Sequence, residues 1–148
     1  MKPIKFIIYL LSIIVISSLP AGAVKTINVN PINLAVVIVE KTDSTKIQRE
    51  FDYYGYTLHT IEDGFKVMKN PNGNEIRYCF DKISKSDYHS TVIVKPNESQ
   101  SEIDAKLKDM HFKKRGDIYS RIASRDDRYI IQCTIGTSNT LLFKNIKR

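Results

Sequence analysis

The stretch Ile47–Tyr56, IQREFDYYGY, returns in altered form further along the chain as Ile103–Phe112, IDAKLKDMHF. Both stretches place apolar or aromatic residues at positions i, i+4, i+7 and i+9. The first three of these spacings put the side chains on one face of a helix, opposite a charged face. A helix of about three turns needs a neighbouring surface to cover such a face. The pair of stretches therefore predicts two equivalent helices, each packed against a sheet.

Matching segments also flank the two predicted helices. Val37–Val39 and Val92–Val94 both read Val-Ile-Val, and Phe65 is separated from Cys79 by the same distance in sequence as Tyr119 from Cys133. A shared helical face, a shared strand and a shared cysteine indicate an internal duplication. We therefore predict two tandem pseudo-symmetric repeats, at about residues 35–89 and 90–143, packed as one compact domain in which each half covers the apolar face of the other.

Each repeat is predicted to open with a strand and continue with the helix. The β-branched runs 35–39 and 91–94 are typical of buried strands. Helices are then expected to begin near residues 44 and 99. Ser99 and Glu102 have the spacing of a capping box, in which the two side chains satisfy free amides at a helix start. The first copy can be capped by Asp43 but lacks the reciprocal glutamate.

A three-stranded meander is predicted after each helix, because glycine-containing turns separate short extended segments. The expected strands are residues 56–62, 65–69 and 75–81 in the first copy, and 112–115, 118–123 and 129–135 in the second. A short closing strand is expected at 141–143, followed by a frayed basic tail at 144–148. These elements predict an α+β fold in which each repeat is a strand, a helix and a three-stranded antiparallel meander.

The first 23 residues have the organisation of a secretory signal peptide. A cationic start with Lys2 and Lys5 precedes the apolar run 6–16, and the small residues Ala21-Gly22-Ala23 follow. The run is shorter than the ~20 residues that a membrane-spanning helix needs, although an uncleaved anchor is the alternative. We predict cleavage near Ala23, a single mature domain at 24–148, and a periplasmic or secreted location.

The positive charge of the chain bears on its partners. Loss of Lys2 and Lys5 would reduce the formal net charge from +7 to +5. In an exported protein this charge favours an acidic protein surface or an anionic envelope component over nucleic acid. Contact with a membrane surface stays open, and the simplest alternative is that the charge only maintains solubility.

Cys79 and Cys133 are the two cysteines of the chain, so that one intramolecular disulfide can form. The oxidising compartment and the symmetric placement favour the bond. Cys79 alternates with Arg77 and Asp81, whereas Cys133 alternates with Ile131 and Ile135. This difference leaves two separate buried thiols as the alternative.

Catalytic and cofactor motifs give no positive signal in the sequence. The histidines His59, His89 and His111 do not stand at metal-ligand spacing from one another or from a cysteine. The chain also contains no nucleophile-elbow serine motif and no glycine-rich phosphate loop. We therefore expect a protein that is not an enzyme and that has no catalytic residue, metal site or cofactor.

Two groups of residues are candidates for binding a partner. Tyr53, Tyr54 and Tyr56 cluster at the end of the first helix, and tyrosine is enriched at interface centres. Local packing around the helix end is the alternative for these three. The basic run Lys113-Lys114-Arg115 can contact an acidic partner, or can simply protect an edge strand from aggregation.

In outline, the predicted duplicated α+β frame is similar to the β-lactamase-inhibitory proteins, in which repeated helix-plus-sheet units form a protein-binding face. It also resembles small periplasmic immunity proteins. The likeness concerns architecture, size and compartment, and it transfers no site residue. We expect an exported soluble protein that inhibits or neutralises another protein, a toxin or an envelope or secreted enzyme, by steric occlusion. The alternative is a structural or accessory cell-envelope protein that binds lipid, peptidoglycan or an assembly machine.

Overall fold

The structure is a computed structural model that describes residues 27–148. The predicted signal peptide at 1–23 lies outside the described residues, and its cleavage stays a prediction. Across residues 27–148, none of the helices has the length and hydrophobicity needed to cross a lipid bilayer.

Three α-helices are present in the described chain: α1 Pro31–Val39, α2 Ser44–Tyr53 and α3 Gln100–Asp109. Residues Thr137–Asn139 form a single 3₁₀ turn. Helices α2 and α3 confirm the predicted starts near residues 44 and 99. Asp43 caps α2 by accepting a hydrogen bond from the Lys46 amide, and Ser99 forms the predicted capping box with Glu102. Both helices bury their apolar stripes, so the periodic spacing of apolar residues correctly located them.

Helix α1 corrects the strand predicted at 35–39. The Asn30 side chain accepts a hydrogen bond from the Ile32 amide at 2.9 Å, and Pro31 occupies the first helical position, where its missing N–H is no loss. The helix is buried on most of its surface and packs against the centre of the sheet. A helix that is apolar nearly all round has no amphipathic period, and its β-branched residues therefore read as a strand.

All eight strands form a single antiparallel sheet. Their bounds are β1 Thr57–Glu62, β2 Phe65–Lys69, β3 Glu75–Lys82, β4 Tyr88–Val94, β5 Lys113–Arg115, β6 Ile118–Ile122, β7 Tyr129–Ile135 and β8 Leu141–Lys147. The strand order is β1-β2-β3-β4-β8-β7-β6-β5. Strands β1–β4 follow α2, strands β5–β8 follow α3, and β4 and β8 meet at the centre of the sheet. The predicted α+β class is thus confirmed.

The expected frayed tail at 144–148 is wrong. Residues 144–147 continue β8, which pairs with β7 from Ile135↔Leu141 to Tyr129↔Lys147. Asn145 is buried in this segment, where its side chain accepts a hydrogen bond from the Ser90 amide and donates one to the Tyr88 carbonyl at 2.9 Å. The side chain extends the pairing between β4 and β8 beyond the last backbone pair, Thr91↔Lys144.

The hydrophobic core lies between one face of the sheet and the three helices. Every second residue of the central strands points into it, as Tyr78, Val92, Phe143 and Cys133 do. Residues of the opposite face do not belong to this core cluster. That opposite face, on which none of the described helices packs, is called the open face below.

The predicted disulfide between Cys79 and Cys133 is absent, since both cysteines are free thiols. Following the register from Cys79 across β4 and β8 leads to Gln132, the neighbour of Cys133. The two cysteines are therefore about three strand spacings, or about 14 Å, apart and point to opposite faces. A disulfide needs Cα atoms within about 7 Å, so that equal placement in the sequence did not bring the thiols together.

Candidate functional site

The open face is built by the alternation of side chains along the strands. In β7, Tyr129, Ile131 and Cys133 are buried against the helices, and Ile130 and Gln132 therefore face the other way. Register then fixes which open-face residues become neighbours on adjacent strands.

Six aliphatic side chains converge on the open face across β4, β8, β7 and β6. One row joins Ile146 to Ile130 and Ile130 to Ile122, and a second joins Ile93 to Leu142 and, through Thr134, to Ile118. Ile122, Ile118 and Ile146 have 53%, 41% and 38% of their surface exposed. We call this set the aliphatic patch: Ile93, Ile118, Ile122, Ile130, Leu142 and Ile146. A polar row, formed by Ser120, Gln132, Lys144 and Thr91, separates the two aliphatic rows. Several exposed aliphatic side chains on one sheet face nevertheless mark an interaction site more often than single scattered ones do.

Exposed cations lie beside the aliphatic patch and between its two rows. Arg115 of β5 is paired with Ile118, and Lys113 is paired with Ser120, so that both basic residues belong to the open face beside the patch. Lys144 lies on β8 between the two aliphatic rows, where it pairs with Gln132. Within residues 27–148 none of these three cations forms a salt bridge. Their charges are therefore available to an acidic partner.

The middle residue of the predicted basic run belongs to the other face. Lys114 is paired with Tyr119, whose ring centroid lies 5.1 Å from the lysine Nζ, and Asp104 of α3 lies at 4.0 Å. The run Lys113-Lys114-Arg115 is thus divided by the pleat of β5: two residues flank the aliphatic patch, and one contacts α3.

The other half of the open face carries a charged cluster instead. Arg77 contacts Glu75 at 2.8 Å and Glu62 at 3.3 Å, and Lys69 lies 3.5 Å from Glu75. The hydrogen bond from Arg77, aided by the charges of Arg77 and Lys69, lowers the pKa of Glu75. The side chains of this cluster, Glu62, Lys69, Glu75 and Arg77, satisfy one another.

The three predicted tyrosines have different surroundings. Tyr53 is 61% exposed and meets Tyr54 edge-on, with ring centroids 4.9 Å apart. Tyr54 is half-buried against the core. Tyr56 is only 1% exposed, packs 5.7 Å from Phe51, and has its pKa raised to about 12 by burial. Tyr53 therefore offers a partner most of its ring, whereas Tyr56 is a core residue.

The structure does not bring the tyrosines and the basic run together. The tyrosines immediately precede β1 and the basic run forms β5, which are the two edges of the sheet. The aliphatic patch was not identified from sequence, because its members come from four strands whose neighbours are set by the central position of β8.

The structure offers no assembled metal site in its described part. Between residues 27 and 148, no three histidine, cysteine, aspartate or glutamate side chains converge as metal ligands do. His59, His89 and His111 are exposed and belong to three separate elements, β1, β4 and the turn after α3.

No protein family, characterised protein or solved structure matches this chain significantly.

Proposed function

We propose that this chain is an exported binding protein that inhibits or neutralises another protein by steric occlusion, and that it contacts its partner through the aliphatic patch. The observation that carries the proposal is the patch itself, an exposed aliphatic surface on a sheet face without a covering helix in the described chain. Burying such a surface against a partner removes apolar area from water, which is the main driving force of association.

The charges beside the patch favour a particular kind of partner. Lys113, Arg115 and Lys144 are exposed and form no salt bridge with a described residue, so an acidic rim on the partner would complement them. A second copy of the chain fits less well. In a two-fold dimer through this face the patch would meet itself and bring the same cations together. The preferred partner is therefore a different protein whose contact surface combines apolar side chains with acidic ones.

A structural or accessory envelope role is the second candidate, and the same observation favours it. Aliphatic side chains interspersed with lysine and arginine also suit a surface of anionic lipid headgroups. The patch consists of isoleucine and leucine and contains no tyrosine or tryptophan, the residues enriched at membrane interfaces. We therefore prefer a protein partner and keep lipid as a competing outcome of the test.

The internal duplication is also part of this proposal, but its boundaries differ from those predicted from the sequence. We infer that the repeated unit is a capped helix followed by four strands, α2 to β4 and α3 to β8. The same order of elements in both halves and the central meeting of β4 and β8 support this proposal. The two Val-Ile-Val segments are not equivalent positions of this unit, since 37–39 is helical and precedes it, whereas 92–94 belongs to β4.

The test is affinity capture from envelope and secreted fractions of the source and of competing cells, using a tagged chain that begins at Val24. The informative variant is Ile122→Asp, because a carboxylate at a 53% exposed position disrupts the patch without disturbing the core. Ile83→Asp is the matched control, since Ile83 is 59% exposed in the β3–β4 loop, away from the patch.

We expect one near-stoichiometric protein to be captured by the unsubstituted chain and by the Ile83 variant. The Ile122 variant should lose at least about 2 kcal/mol of affinity, roughly thirtyfold, because a charge would be buried in the interface. Equal capture of the partner by the Ile122 and Ile83 variants would contradict the assignment of the aliphatic patch as the binding face. If the chain binds only to anionic vesicles, and this binding depends strongly on salt, the envelope role would replace the inhibitor role.

A further inference from the structure

The tip of the β2–β3 hairpin is the loop 70–74, which lies beyond the last pair of the two strands, Lys69↔Glu75. Asn72 and Gly73 at the centre of this loop are exposed. Asn72 is the only asparagine of the chain that a glycine follows. Asparagine is one of the chemically labile residues of proteins. The hairpin therefore presents to water a labile dipeptide that occurs nowhere else in the sequence.

The Asn72 side chain is not held by the rest of the hairpin. It forms no hydrogen bond with another described residue, whereas the Asn70 side chain accepts one from the Asn74 amide at 2.9 Å. A short carboxamide without a partner can turn toward the neighbouring backbone, which lies within its reach. The side-chain carbonyl carbon of Asn72 can therefore approach the backbone nitrogen of Gly73, the next residue.

Gly73 leaves that approach open. It has no side chain, and a Cβ placed on it would meet no atom beyond its chain neighbours within 4 Å. The Gly73 N–H donates a hydrogen bond to the Asn70 carbonyl at 3.0 Å, and this bond must break before the nitrogen can react. Because the bond lies within an exposed loop, its opening disturbs neither a strand pair nor the core. The barrier that the fold adds at this nitrogen is therefore small.

We propose that Asn72 is a site of spontaneous deamidation. The Gly73 nitrogen gives its proton to water or hydroxide and bonds to the side-chain carbonyl carbon of Asn72. The bond from that carbon to the side-chain nitrogen breaks, and this nitrogen takes up a proton and leaves as ammonia. Water then opens the five-membered succinimide at either carbonyl, which gives aspartate or isoaspartate. One water is consumed and one ammonia is released, and the reaction needs no oxidant, cofactor or enzyme.

The product changes the charge of a cavity beside the hairpin. Asn72 lines this cavity, which has a volume of about 810 Å³. The charged residues of its lining are Glu75, Arg77, Lys95, Glu98 and Glu102. Deamidation adds a further carboxylate to these three glutamates, and the isoaspartate product also lengthens the main chain of the hairpin by one carbon. The modification therefore makes the cavity more acidic, and it does not depend on the proposed function.

The test compares two asparagines of the unsubstituted chain, purified after export and kept folded near neutral pH. Asn97 is the internal control, since it is also exposed and forms no hydrogen bond with a described residue, but Glu98 follows it. Peptide mass spectrometry over time measures the conversion of each amide to a carboxylate, and chromatography separates aspartate from isoaspartate. We expect Asn72 to react several times faster than Asn97, because a side chain on the following residue hinders ring closure.

A variant and a denaturant provide further checks. Gly73→Ala should slow the reaction at Asn72 and leave Asn97 unchanged. Alanine is strained at the φ of 81° that Gly73 adopts, so the comparison within the unsubstituted chain is the decisive one. In urea, Asn72 should react no more than about tenfold faster than in the folded chain, because opening a surface loop costs little free energy. Equal rates at Asn72 and Asn97, or modification of Asn72 only in urea, would overturn the inference.

Discussion

The two halves of the open face use the same strand framework for different chemistry. On β1–β3, Arg77, Glu62, Glu75 and Lys69 form contacts of 2.8–3.5 Å with one another. On β6–β8, isoleucines occupy the surface, and the cations beside them have no acidic partner in residues 27–148. The charged side chains of the β1–β3 half pair with one another, whereas the β6–β8 half exposes apolar area and has cations without an acidic partner among the described residues. This difference identifies the β6–β8 half, and not the whole sheet, as the surface to test first.

The largest expected effect is a difference in reactivity between the two cysteines, which lie on opposite faces of the sheet. The same measurement tests the absence of the disulfide. Cys79 is half-buried on the open face, and Cys133 is fully buried against the helices with its pKa raised to about 12 by burial. A small thiol reagent should therefore modify Cys79 in the native protein and Cys133 at least about a thousandfold more slowly, because Cys133 must wait for unfolding. Mass spectrometry of the labelled peptides over time measures both rates.

Unfolding the protein in urea provides the control, since both thiols should then react at similar rates. A native chain in which neither cysteine reacts, and in which both react only after addition of a reductant, would contain the disulfide and contradict the sheet geometry.

The next largest effect concerns the pairing of β4 with β8, which joins the two halves of the sheet. Asn145→Ala removes the side chain that satisfies the Ser90 amide and the Tyr88 carbonyl, both in buried residues. Each group left unsatisfied costs about 1–3 kcal/mol, so we expect the free energy of unfolding to fall by about 2–6 kcal/mol. Urea denaturation measures this change.

The prediction for Asn145→Ala has a matched control in Asn97→Ala. Asn97 is exposed and its side chain makes no hydrogen bond within the described chain, and this change should therefore alter the unfolding free energy by less than about 0.5 kcal/mol. Equal stability of the two variants would show that the halves are held together without the Asn145 side chain.

The smallest expected effect is a difference in how much the charged residues of the two halves of the open face contribute to partner binding. Lys144→Gln and Arg115→Gln should each weaken partner binding by about 0.2–1 kcal/mol and reduce its salt dependence, because these charges are free to meet an acidic rim. Arg77→Gln should leave the affinity unchanged, since Arg77 is occupied by Glu75 and Glu62. Calorimetric titration of the captured partner at low and high salt distinguishes these results. A larger loss for Arg77→Gln would move the interface to the charged half.

Much of the secondary structure could be predicted from local signals. Helix α3 begins at its capping box, and β2 and β7 have the predicted limits of 65–69 and 129–135. These elements carry their own signal, either a cap with a periodic stripe or a short run between turns. Helix α1 and the end of β8 lack such a signal. The first is apolar on nearly all sides, and the second has the polar residue Asn145 at a core position.

The candidate site could not be predicted for a different reason. Ile118, Ile122, Ile130 and Ile146 are ordinary strand residues in the sequence, and no spacing rule links them. They become neighbours because β8 pairs with β7 and β4 at the centre of the sheet, a long-range choice of register that local patterns do not encode. The basic run was noticed, but its division between two faces also required the register of β5.

The central position of β8 also bears on how the chain folds as it is made. The strand that joins the two halves is synthesised after the other seven described strands, so β4 keeps an unpaired edge until residues 141–147 are available. Pairing β4 with β8 closes a long loop, and contacts of such high sequence separation form slowly. During that interval the exposed edge of β4 is a template for pairing with other chains. A chaperone that holds the β4 edge would therefore protect the nascent protein until β8 arrives.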